Sequence, residues 1–172
     1  ITTFPTTPSS YTILATISGT KTVGSGGDYA TLTAAIAAVN AAEVTGPVVL
    51  SLTDASYTTP AETFPLVLNA NGGSSATNTI TIRPAASNVA SISGSSGSCI
   101  LTLNGADYVT VDGSNSGGTD RSLTVTNTNT GTSSAVVCLQ NTAAPDGATN
   151  NIVKNLNVVG NSNTTTLFGV FS

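Results

Sequence analysis

From residue 79 onward the chain repeats one short phrase: apolar residues separated by single Thr or Ser, then a run of Gly, Ser, Asn or Asp. It is written as TITIRPAAS at 79, LTLNGAD at 101, VTVDGSNSGG at 109 and LTVTNTNTG at 123. Alternation with period two predicts half-buried strands, and the small polar clusters predict turns between them. The same reading places strands at VVLSLTD, FPLVLNA, TITIRP, VASISGS, CILTLNG, YVTVDGS, SLTVTNT, AVVCLQN, NIVKNLNVVG and LFGVFS. One segment breaks the alternation. In GSGGDYATLTAAIAAVNAAEVTG, residues 24–46, Leu32, Ile36 and Val39 recur at helical spacing on an Ala-rich background. This predicts a helix over residues 31–42, started by Asp28 or Thr31 and stopped by Gly46 and Pro47. Residues 1–23 open with Pro among Thr and Ser and hold one alternating run, YTILATI at 11–17, so they read as an extended arm carrying one strand.

Strand starts roughly 10 to 16 residues apart suit a sandwich, a barrel or a solenoid. Two features favour the solenoid. Tight Asn-Gly or Asp-Gly hairpin turns flanked by strands are scarce, and Val, Ile and Leu recur in a three-strand rhythm. TITIRP, VASISGS and CILTLNG form one coil; YVTVDGS, SLTVTNT and AVVCLQN form the next; NIVKNLNVVG opens another. A single coil cannot bury its inward face, whereas stacked coils share a continuous core. The expected organisation is an all-β parallel solenoid over residues 24–172, with a capping helix and the arm at 1–23.

Composition narrows the function. The 172 residues carry four basic and eight acidic side chains, and charged residues are 7% of the sequence. That leaves no basic surface for nucleic-acid phosphates. Thr, Ser, Asn and Gly make up about half the chain, so solubility comes from hydroxyls and amides, as on extracellular proteins. No apolar run approaches the roughly 20 residues of a membrane span. A chain that starts at Ile1 and lacks Met fits secretion after removal of a signal, although a segment boundary looks the same.

Reactive chemistry is sparse. There is no histidine, which removes Ser-His-Asp and Cys-His catalysis. Carboxylate-based carbohydrate chemistry is left, with Asp107, Asp112 and Arg121 as the nearest group; an Asp before Gly at a strand end, such as Asp112, is more often a turn residue. Arg83, before Pro84, reads as a side chain lying over a neighbouring coil. Asp107, Asp112, Asp120 and Asp146 are the oxygen donors a calcium ion would take, without EF-hand or Gly-Gly-x-Gly-x-Asp spacing, and no cofactor is expected otherwise. GSGGD at 24–28 lacks the Lys-Ser/Thr of a phosphate loop, and Asn163 heads the one N-x-S/T sequon. Cys99 and Cys138 pair by default in an oxidising compartment. Against that, aligning Leu103 with Leu139 sets Cys99 opposite Ala135, and in extended chain the thiols would be about 10 Å apart. The two arguments oppose each other.

TVGSGGDYATLTAAIAAVNAAEVTGPVVLSLTDASYTTPAETFPLVLNANGG, followed by NTITIRPAASNVASISGSSGSCILTLNGADYVTVDGS, resembles the N-terminal part of secreted right-handed parallel β-helix proteins. That group includes pectate-lyase-like enzymes and large bacterial surface proteins. The resemblance covers residues 22–115 and implies a right-handed coil, with YATLTAAIAA as its cap; Asp54, Ala55 and Ser56 depart from the usual Pro-Gly before Tyr57. It implies a fold more than an activity, because one solenoid hosts many functions. The expectation is a structural extracellular surface or filament protein, growing by β-strand addition or end-to-end extension of the helix. Its partners would be itself, other surface components or glycans. Tyr11, Ile13, Leu14 and Ile17 on the arm, with Leu167, Val170 and Phe171 near the other end, are the expected assembly residues. The alternatives are a carbohydrate-active enzyme and a glycan-binding adhesin module.

Overall fold

A computed structural model describes residues 14–141, 147–161 and 168–172. It is a parallel β-solenoid of about four turns with one short helix. Each turn contributes one strand to each of three sheets. The first turn holds β2 (Ala42–Leu52), β3 (Ser56–Thr58) and β4 (Leu66–Asn69), and the second β5 (Ile80–Pro84), β6 (Ala90–Gly94) and β7 (Leu101–Asn104). The third holds β8 (Val109–Asp112), β9 (Leu123–Asn127) and β10 (Ala135–Gln140), and the fourth β11 (Ile152–Lys154), β12 (Leu156–Gly160) and β13 (Phe168–Phe171). The three-strand rhythm of the sequence is therefore the coil itself.

Parallel in-register stacking puts like residues over like. Val48, Ile80 and Val109 form one inward column, Leu66, Leu101 and Val137 another, and Tyr57, Ile92 and Val125 a third. All are nearly excluded from solvent, so burial of one apolar side chain per two residues holds the turns together. Coil-to-coil contact also limits side-chain size at corners. A Cβ on Gly113 would stand 1.9 Å from the Asn155 carbonyl oxygen of the next turn.

The N-terminal end is closed by β1 (Ala15–Val23) and α1 (Leu32–Ala41). The helix turns Leu32, Ala35, Ile36 and Val39 inward, onto β1, β2 and β4. Its free N–H groups are met twice: Thr31 Oγ1 accepts from Ala34 N at 3.0 Å, and the buried Glu62 carboxylate accepts from Leu32 N and Thr33 N, each at 2.7 Å. An acid at a helix N-terminus also complements the helix dipole. Two boundaries differ from the sequence reading. The helix stops at Ala41 and β2 starts at once; Gly46 and Pro47 instead lie where the β1–β2 register shifts, from Ile17↔Val44 to Gly19↔Val48. A proline lacking its N–H is accommodated at such an irregularity. Residues 15–23 of the supposed arm are also part of the solenoid, because β1 pairs parallel with β2 from Ala15↔Ala42 to Val23↔Leu52. Residues 1–13 lie outside the described residues.

Candidate functional site

Among the described residues the fourth turn is the edge of every sheet: β11, β12 and β13 each have a strand neighbour on one side only. Val158 and Val170 continue the inward columns of Val125 and Val137, yet they are 37% and 50% exposed. Ile152, Val159, Phe168 and Phe171 are exposed there as well, and the two phenylalanine rings lean together at 5.4 Å. Unpaired strand N–H and C=O groups next to open apolar columns form a template for another β-coil.

Among the described residues, the expected assembly residues fall at both ends of the coil. Val170 and Phe171 sit on this open edge, whereas Leu14 is exposed at the opposite end. Ile17 is buried beside Val44, because its strand is already paired within its own chain. Tyr11, Ile13 and Leu167 lie outside the described residues. Ile152, Val158, Val159 and Phe168 were missed; continuing the inward column one turn past Val125 would have pointed to Val158, whereas Ile152 and Val159 stand over Thr110 and Thr126 and Phe168 over Ala135.

Cys99 and Cys138 form a disulfide with Cα atoms 5.9 Å apart. Leu103 pairs with Leu139 as the sequence predicts. Cys99, however, does not continue that strand straight back. The chain bends at Ile100, and β7 begins only at Leu101. Ser98 O, not Cys99, takes the Ala135 N–H, and Ile100 N donates to Val136 O. The bend returns Cys99 to the flank of Cys138. The bond thus ties the second turn to the third, beneath a surface hollow lined by Ala135, Gln140, Phe168 and Phe171.

The carboxylates serve turns. Asp112 accepts from Ser114 N at 3.0 Å and Asn155 Nδ2 at 2.8 Å, and pairs with Lys154 Nζ at 3.2 Å. Asp120 accepts from Ser114 Oγ at 2.6 Å, from the Ser116 hydroxyl, from Asn115 N at 3.0 Å and from Ser122 Oγ at 2.8 Å. Asp107 holds Thr149 through its N–H and hydroxyl, and the Arg121 carbonyl accepts from Asn157 Nδ2. Arg83 Nε is buried without a hydrogen-bond partner among the described residues. Asp146 lies outside them, and nowhere within them do three or more His, Cys, Asp or Glu gather as metal ligands would.

These bonds shift the acids. The Ser114 and Ser116 hydroxyls, with Asn115 N and Ser122, hold the Asp120 carboxyl well below the ordinary 3.8. Burial works to raise Asp112, but the Ser114 N–H, the Asn155 amide and Lys154 outweigh it and lower the pKa. Asp28 is lowered by the Thr22 N–H and hydroxyl. A carboxyl depressed in the folded state stabilises it above the unfolded pKa, and that contribution is lost as pH falls through the folded value. The melting temperature should therefore hold from neutral pH down to about pH 5 and then fall as acid is added. Asp120→Asn should melt lower than the parent at neutral pH and lose less of its stability in acid, as read by circular dichroism.

No protein-family model matches the chain, and no curated protein or solved structure is significantly similar to it.

Proposed function

We propose that this chain is a structural extracellular surface or filament protein that extends by stacking a further β-coil on its fourth turn. The carrying observation is the edge formed by β11, β12 and β13, where half-exposed Ile152, Val158 and Val170 stand beside unpaired strand backbone. The opposite end supports a head-to-tail contact with a second copy through one sheet: β1 is the other edge of the sheet that ends in β11, so parallel pairing continues there, while α1 packs on β4 and closes the interior of the coil beside it. Such a contact is heterologous and propagates as a filament unless its rotation closes a ring. The Ala15–Val23 strand is occupied by β2 of its own chain, so the contact is edge-to-edge extension rather than donation of that strand. The hydroxyl- and amide-rich composition and the Cys99–Cys138 bond suit an oxidising, extracellular setting.

Electron microscopy and light scattering test this reading. Linear assemblies that grow with concentration are expected, and Ile152→Lys with Val170→Asp should leave a folded monomer, because charge on an exposed strand edge opposes pairing. Dispersed monomers at all concentrations, or assemblies indifferent to both substitutions, overturn it. Polysaccharide cleavage by those monomers would select the enzyme reading instead.

A further inference from the structure

The three outer faces of the solenoid differ in chemistry. The sheet of β2, β5, β8 and β11 carries Arg83, Asp112 and Lys154 at its strand ends. The sheet of β4, β7, β10 and β13 carries the disulfide and the phenylalanine pair. The remaining sheet, β3, β6, β9 and β12, pairs without any register shift. Because Tyr57, Ile92 and Val125 fill its inward positions, strand alternation turns the flanking residues out. Two outward columns result: Ser56, Ser91, Thr124 and Asn157, and beside them Thr58, Ser93, Thr126 and Val159. Three successive turns therefore present a hydroxyl at both positions, and neither column holds an ionised side chain.

We propose that this face binds the surface of ice. The distances follow from the two hydrogen-bonded lattices. Parallel strands repeat at about 4.8 Å, and alternate residues along a strand at about 6.6 Å. With water oxygens about 2.75 Å apart, tetrahedral geometry places second neighbours at about 4.5 Å and the repeat along the hexagonal axis at about 7.3 Å. The mismatch across the strands is about 0.3 Å per turn, about 0.6 Å over the three hydroxyl-bearing turns, and that between the two columns is about 0.7 Å, shifts that the serines take up by turning about χ1.

The side chains suit that use. Thr124 and Thr126 are stiff at χ1, so their hydroxyls and methyls recur in fixed positions on a rigid backbone. A Lys or Arg on the face would hold its own hydration shell against the crystal, and these columns have neither. The lattice fades at the fourth turn, where Asn157 and Val159 replace hydroxyls, so the bound patch is small.

The test uses dispersed protein, below any concentration at which it assembles, so that failure here is separate from failure of the filament reading. Ice grown slowly in the solution should become faceted and take up the protein. Thr126→Tyr, which lifts one point of the lattice off the plane, should lose both effects while keeping the parent circular dichroism. Thr81→Tyr, on the outer face of the charged sheet, should keep both. Rounded crystals that exclude the parent protein overturn the proposal, as does equal loss in the two variants.

Discussion

Ile36→Asp should lower stability by about 4 kcal/mol or more. Ile36 is 3% exposed on the inward side of α1, and truncating such a side chain alone costs roughly 2–5 kcal/mol. The substitution also leaves a carboxylate buried without a partner, which adds a desolvation penalty. For a domain of this size each kcal/mol moves the melting temperature by about 2–4 °C, so a drop of more than about 8 °C is expected by calorimetry. Ala37→Asp, one residue along and exposed, controls for helix propensity and charge and should cost no more than about 1 kcal/mol. Equal melting of the two variants would mean that the helix does not close the coil.

Removing the disulfide is expected to have a comparable effect. Cys99 and Cys138 are 39 residues apart, and closing a loop of that length removes unfolded-chain entropy worth about 4 kcal/mol. The double Cys99→Ser, Cys138→Ser variant avoids a free thiol and should unfold at clearly lower urea than the oxidised parent. Because the bond ties the second turn to the third, hydrogen exchange should quicken first in β10 and in the β13 strand that pairs with it. An unchanged midpoint would show that coil stacking alone holds these turns.

Periodic features were legible from sequence. Leu32, Ile36 and Val39 located the helix, alternating Val, Ile and Leu located the strands, and the three-strand recurrence grouped them into coils, down to the Leu103–Leu139 pairing. These depend on neighbours within a few residues, or on a repeat that shows itself as recurrence. The open edge was only partly legible. Val170 and Phe171 were found because they end an apolar run, whereas Ile152, Val158 and Phe168 gained their significance from the turn beneath them.

What the sequence by itself determined is a stackable, nearly uncharged parallel coil with a helix at one end, because backbone periodicity and side-chain burial follow from local residue order. The tertiary structure alone decided the rest. It bent the chain at Ile100 so that two cysteines expected about 10 Å apart could bond. It brought Glu62 to a helix start 30 residues away, and it laid the Ala15–Val23 strand on its own chain. It also aligned hydroxyls from three separate strands on one outer face. In each case the deciding contact joins residues some 27 to 39 positions apart, and which of those meet is fixed by where each corner turns.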